Sequence, residues 1–583
     1  MKEYLLRNWN DSCKKKGLLF FAEAMEEMLF HHSYDSFKVP TLNFKYLCFD
    51  ILSTIESIND DVLDAGNLVP LIDELMSFYE KDLIVKDIYG PKLKDIFTQK
   101  NEHGVYVNFF EDICKNRTSE NTRSKLKNVL IFVIEDLDRN DKYYNLLIEK
   151  IDLLIDKEIT LEEEKELYIL TQTLLSELVN RDYSLENLYN SVIKTFFSDV
   201  EVSDCKKSFS DFISLFTFKD KNYAVYFPVA KTVKDDLSQC FNLEIESNVF
   251  EMFDNNYEYI GKLKVDACDP EQARILASEI VDVFLSIIQF DKHNNRPFKL
   301  RNADVVDLGT GECYFLQEPI LPIFRGNKAK TRTFSTNVCP HRIKNLFHAI
   351  SLHASATQSK DIGNQFLNLW TAIEVLIPVE RKGSFSRINQ ICNYLTSVLS
   401  INYYRSLLVH LNVELKVIGE EYTECLNETG KEGIAGLISI ITDATFQSTK
   451  NKLLEHLSNY PVLQYKIHQY TELFISPNKL LNTYNNHSNR IRLQIMRIYR
   501  TRNMIVHDGN KSRYIDLILQ NLHYYVDSLI ELISTIQATG FDSMNSILRE
   551  VSQIEENILR IFEQDSISLS DLEYIYQLKL YSN

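Results

Sequence analysis

Apolar residues recur at three- and four-residue spacing through most of the chain, the signature of helices that bury one face. In residues 1–200 the pattern predicts helices over SKLKNVLIFVIEDL (124–137), YYNLLIEKIDLLI (143–155) and LEEEKELYILTQTLLSELV (161–179), with Glu162-Glu163-Glu164 as a solvated first turn that suits a helix N-terminus. Between about 200 and 335 the period shortens. NYAVYFPVA (222–230) and YEYIGKLKVDA (257–267) read as strands, and Asp269-Pro270 opens a helix over 271–290. From 336 onward helical spacing returns, in 364–377, 387–399, 491–507 and 513–533, with a less regular stretch between about 400 and 487. No fixed-period repeat is visible.

These patterns predict a mainly α, multi-domain protein: an N-terminal helical region (1–200), a small central α+β module (201–335) and a C-terminal helical domain (336–583) that carries an insertion at about 400–487. The length of 583 residues agrees, being more than one hydrophobic core usually supports. With 45% hydrophobic and 25% charged residues, and only 16 Gly and 12 Pro, the chain has the makeup of a folded, helix-rich protein.

Charge narrows the function classes. A formal net charge of -18 argues against a protein that coats nucleic acid non-specifically, because phosphate affinity comes mainly from clustered Lys and Arg; any nucleic-acid contact has to be local. The ten cysteines are scattered and include no CxxC pair, which fits reduced thiols in a cytosol better than a zinc site or a disulfide framework. The apolar run Gly17–Ala22 meets Glu23, Glu26 and Glu27 within one to two turns, too soon for a signal segment or a membrane span. A cytoplasmic protein with no membrane association is expected.

Four further signals fall short of a site. VVDLGTGECYF (305–315) resembles the first glycine motif of methyltransferases that use a nucleoside methyl donor. Glu312-Cys313 stand where a third glycine belongs, however, and the following CYFL is strand-like, so a β-turn is the expectation. His31-His32 and Cys339-Pro340-His341 lack partners at metal-ligand spacing, so no metal or cofactor is expected. The basic stretch GNKAKTRT (326–333) reads as a solvated loop ahead of an RNA-guiding edge.

The strongest chemical signal is IYRTRNMIVHDGN, which places Arg502, Asn503 and His507 near one helix end. A guanidinium can hold a phosphate and its developing charge, and a free imidazole, titrating near ~6.5, can move protons at neutral pH. At 100° per residue Ile491, Ile495, Ile498, Ile505 and Val506 form one apolar stripe, and Arg502 falls on it. Arg500, Asn503 and His507 fall on the opposite side, so periodicity alone favours Arg500 as the partner of His507, unless the turn at Asp508-Gly509 loosens the last turn and lets His507 swing toward Arg502. The alternative is that Arg502 and Arg500 make structural ion pairs while His507 caps carbonyls at the helix end.

The segment resembles the R-x4–6-H motif of HEPN domains in its RNxxxH form, and it begins a C-terminal helix pair as that motif usually does. FLNLWTAIEVL (366–376) is similar to the first helix of the HEPN domains of ApeA-like bacterial abortive-infection proteins, where an aromatic residue precedes an apolar-Glu pair. The resemblance spans about 340–400 and 488–540. It implies a metal-independent endoribonuclease, acting in antiviral defence or stress, whose helical domain pairs with a second copy into a homodimer or higher oligomer so that two motifs face one RNA substrate. Carried over by position, Arg502 would stabilise the phosphorane-like charge, His507 would act as base or acid, and Asn503 would orient the phosphate or its neighbour. Glu374 would hold Arg502 in place, or else be an ordinary exposed helix carboxylate. Residues 1–335 would then sense a phage-derived or cellular trigger or hold the nuclease inactive. The alternative is a non-catalytic HEPN-like module that binds a nucleotide or a partner protein.

Overall fold

The structure, a computed structural model, describes residues 6–14, 16–29, 41–90, 97–100, 106–108, 120–198, 201–229, 234–241, 244–247, 259–292, 302–317, 344–359, 361–378, 386–509, 512, 514–537 and 544–577. It is mainly helical, with one small antiparallel sheet module between two helical regions.

The N-terminal region is built around the helix Gly17–Leu29, all thirteen residues of which are buried. A helix apolar on every side belongs inside a core, and this one carries three carboxylates in with it. Glu27 Oε1 lies 2.8 Å from Lys466 Nζ, and Glu23 Oε2 accepts the backbone N–H of Val462 at 3.1 Å. Its first residue has to be small: a Cβ on Gly17 would stand 2.3 Å from the Leu154 carbonyl oxygen. Around it pack the helices Phe44–Asn59, Leu68–Lys81, Glu120–Asp138, Lys142–Ile155, Leu161–Asn180 and Leu185–Phe196. The acidic first turn expected at 162–164 opens the helix Leu161–Asn180, where Thr160 and Glu163 form a reciprocal capping box. The helix Cys205–Ser214 also belongs here, through Phe209 and Phe212. Cys13 and Cys205, both buried, bring their Sγ atoms to 3.1 Å as free thiols.

Seven strands are described. β1 (Thr98–Lys100) and β2 (Tyr106–Asn108) form a short hairpin. β3 (Lys221–Val229), β4 (Glu244–Ser247), β5 (Tyr259–Ala267), β6 (Asn302–Asp307) and β7 (Cys313–Gln317) make an antiparallel sheet in the order β4-β5-β3-β6-β7, and the helix Pro270–Lys292 packs on it through Ala273, Ala277, Val281 and Leu285. Asp269 caps that helix by accepting from Gln272 N at 2.8 Å, and also takes Ser184 N at 2.7 Å, so one carboxylate fastens the module to the N-terminal region. Residues 308–312 of the glycine motif are the β6–β7 turn: Asp307 Oδ1 accepts from Gly309 N and Thr310 N, and Gly311 takes φ 75°, a value that favours glycine.

The C-terminal region is a helical array from Lys344–Gln358 to Leu569–Gln577 around a second large apolar core. The stretch 400–487 does not stand apart as an insertion. Tyr404, Leu408, Leu437, Ile440 and Leu463 lie in the same core as Trp370 and Ile495, because these segments are themselves amphipathic helices. The asparagine-rich NTYNNHSNR lies inside a single helix, Pro477–Asp508, whose 32 residues end in the RNxxxH segment; Ser476 caps its start and Pro477 its first turn. Two residues of this region, Val462 and Tyr465, pack in the N-terminal core. Among the described residues no helix is long and apolar enough to cross a membrane.

Candidate functional site

The motif helix Pro477–Asp508 is buried nearly all the way round for much of its length. Ile491, Ile495 and Ile498 face the C-terminal core, as the stripe predicts, but the opposite side is covered as well: Gln494, Arg497, Arg500, Thr501 and Asn503 are all buried. The cover comes from the N-terminal region. Arg497 Nη2 bonds Glu74 Oε2 at 2.6 Å, and Arg500 Nη2 bonds Asp50 Oδ2 at 3.1 Å. Arg497 Nε also stands 3.8 Å from that carboxylate, and its Nη1 donates to Gln494 Oε1 at 2.8 Å. Burial works against the charge on Arg497, but the carboxylates of Glu74 and Asp50 outweigh it and hold the guanidinium firmly protonated.

The first half of the helix is exposed at Asn482, Asn485, Asn486 and Arg490; from Ile491 on, only the last turn emerges among the described residues. Arg502 and Ile505 are half-buried, whereas Val506, at 47% exposure, and His507 are open to solvent. Val506 therefore does not continue the buried stripe; the helix has by then run past the core it packs on. The last turn does not loosen. It remains α-helical to Asp508 and closes on Gly509, whose φ of 67° and N–H bond to the Ile505 carbonyl end it in the left-handed manner glycine allows.

The candidate residues separate accordingly. Arg500, the choice of periodicity, is committed to Asp50 and turned into the protein. Arg502 donates from Nη1 to Asn503 Oδ1 at 3.1 Å, and no ion pair holds it among the described residues. The His507 side chain has no hydrogen bond or ion pair to any described residue. Along a regular helix Arg502 and His507 stand about 7.5 Å apart in rise and roughly 140° apart in azimuth, so one chain does not bring them together.

Glu374 is not drawn to Arg502. Its Oε1 accepts from the Trp370 indole Nε1 at 2.9 Å, one turn earlier on the helix Ile362–Leu376, and its main-chain oxygen accepts from Arg387 Nη2 at 2.7 Å. Trp370 in turn lies 5.9 Å, centroid to centroid, from Tyr499 on the motif helix. The aromatic-Glu segment thus acts on the motif helix by packing. The signals GNKAKTRT, His31-His32 and Cys339-Pro340-His341 lie outside the described residues.

Three residues at this site carried no sequence signal: Asp50, Glu74 and Tyr514. The Tyr514 hydroxyl donates to Asp50 Oδ1 at 2.5 Å. Burial first, and the Asp50 charge second, push its phenol well above the usual range, so it remains a donor.

No family model matches the chain, and no curated protein or solved structure is significantly similar to it.

Proposed function

We propose that this chain is a metal-independent endoribonuclease of the HEPN type, working as a defence or stress effector in answer to a phage-derived or cellular trigger. One observation carries the reading: of the three arginines at the end of the motif helix, only Arg502 is left without a carboxylate partner among the described residues, and it shares the emerging turn with His507, whose side chain has no partner among them either. Their separation on one helix calls for two copies. A two-fold arrangement of emerging ends would set Arg502 of one protomer against His507 of the other, over a cleft that one RNA strand can enter.

In that arrangement His507 removes the proton from a ribose 2'-hydroxyl. The 2'-oxygen attacks the adjacent phosphorus, and the 5'-oxygen leaves with a proton from an imidazolium, producing a 2',3'-cyclic phosphate and a 5'-hydroxyl. Arg502 meets the negative charge that grows on the phosphoryl oxygens. Asn503, whose amide oxygen accepts from the guanidinium, aims Arg502. Incubating the full chain with mixed RNA in a chelator tests the reading. Cleavage to cyclic-phosphate ends that is lost in His507→Ala and Arg502→Ala supports it; wild-type protein that binds RNA or nucleotide without cutting overturns it in favour of a binding module.

A further inference from the structure

The Asp50 carboxylate grips the motif segment on both sides of His507. Arg500, which donates to Oδ2, lies seven residues before the histidine, and Tyr514, which donates to Oδ1, lies seven residues after it. We propose that Asp50, from the helix Phe44–Asn59 of the N-terminal region, is a positioning residue for the Arg502–His507 site. This rests on the nuclease reading above.

Between the two anchor points the chain leaves the helix at Gly509, and among the described residues no side-chain hydrogen bond joins Val506 or His507 to the core. The direction in which that turn emerges is therefore set where the segment is tied. Asp50 ties the helix at Arg500, two turns before its end, and ties the chain again at Tyr514, just before the helix Ile515–Gln537. The carboxylate is well held itself: its side chain is only 9% exposed, with Arg497 beside it. Buried ion pairs of this kind add little net stability over apolar packing, and their best-attested use is to select one arrangement. Glu74 offers the contrast. It binds Arg497, ten residues before His507, and has no bond to the segment beyond it. An N-terminal region that clasps the motif in this way is part of the site, and anything that shifts the helix Phe44–Asn59 is felt at His507.

The experiment compares full-length Asp50→Asn, Asp50→Glu, Tyr514→Phe and Glu74→Gln for RNA cleavage in a chelator, separating kcat from KM, with hydrogen exchange of amides 504–515 as a second readout. Asp50→Asn is expected to lower kcat about 10- to 100-fold with KM changed less than about threefold, as for a misplaced rather than missing group. Asp50→Glu should recover part of the loss, and Tyr514→Phe, which keeps the ring and the Arg500 pair, should lose about fivefold. Exchange at 504–515 should quicken in Asp50→Asn and not in Glu74→Gln. A wild-type kcat in Asp50→Asn, or an equal loss in Glu74→Gln, overturns the proposal; should Asp50→Asn not fold, a wild-type kcat in Tyr514→Phe does so. Where the wild type cuts no RNA, the nuclease reading fails separately, and unchanged exchange in the Asp50 and Tyr514 variants overturns the clasp.

Discussion

Arg500 and Arg502 stand two residues apart on one helix and have opposite surroundings: Arg500, 3% exposed, is paired with Asp50 at 3.1 Å, whereas Arg502 sits half-buried on the emerging turn with the neighbouring Asn503 amide oxygen as its one side-chain partner among the described residues. One guanidinium is committed to the fold; the other has no carboxylate partner among the described residues.

Substituting the two should therefore separate stability from activity. Arg500→Ala leaves the Asp50 carboxylate short of a partner in a mostly buried place, an error that costs about 3 kcal/mol. Arg502→Ala should cost less than about 1 kcal/mol, in keeping with a half-exposed side chain, and should abolish RNA cleavage. Chemical denaturation midpoints and cleavage rates on the same preparations check both; a destabilised Arg502→Ala beside a wild-type-like Arg500→Ala would reverse the assignment.

Acid should unfold this protein in part through His523. The ring is fully buried against His353, at 5.6 Å between centroids, and neither of its nitrogens has a hydrogen-bond partner among the described residues. Burial first, and then His353, lower its pKa to about 4, with Asp527 acting weakly the other way. Because the folded value lies below the unfolded one near ~6.5, this stability is complete above the unfolded value and is lost as pH falls toward 4, on the order of 3 kcal/mol in all. His523→Phe, which keeps a ring against His353, should flatten the fall in melting temperature between pH 6.5 and 4. A slope unchanged from wild type would show that other groups carry it.

Glu23 should act in the opposite direction. Burial, which the Val462 N–H only partly offsets and which Glu26 and Glu27 reinforce, raises its carboxyl well above the usual range. A group raised on folding contributes fully below its unfolded value and loses that contribution as pH climbs through the folded one, at about 1.4 kcal/mol per unit of elevation. Glu23→Gln keeps the shape and an acceptor for Val462 N, so its melting temperature should exceed wild type at pH 8, and the gap should close toward pH 5. A gap that is constant with pH would point to packing rather than titration.

Gly17→Ala should be costly, because its Cβ would meet the Leu154 carbonyl oxygen at 2.3 Å and the Ile155 Cα at 3.3 Å, backbone that has no easy way to yield. About 1–3 kcal/mol of stability is the expected loss. Gly66→Ala, where a Cβ meets nothing within 4 Å, provides the control. Equal melting temperatures for the two variants would show that the helix Gly17–Leu29 shifts freely.

Periodicity by itself determined the helical character of the chain, the strands read at 222–230 and 257–267 and found at Lys221–Val229 and Tyr259–Ala267, and the helix that carries Arg502, Asn503 and His507, because each of these depends on residues within a turn or a pleat of one another. The β6–β7 turn was legible for the same reason: Asp307, Gly309 and Gly311 act on their own neighbours. What covers a helix face is a different matter. Helical geometry put Arg500 on the polar side with His507, and only the tertiary structure turned that side into an interface, since Asp50 arrives from 450 residues away and Tyr514 joins it at a separation of 464. Similarly, nothing beside Glu23, Glu26 and Glu27 in sequence announces their burial, which Lys466 and the Val462 N–H support from a distant part of the chain. Local spacing specifies which side chains share a face; the partner that meets that face is set by packing across the whole chain.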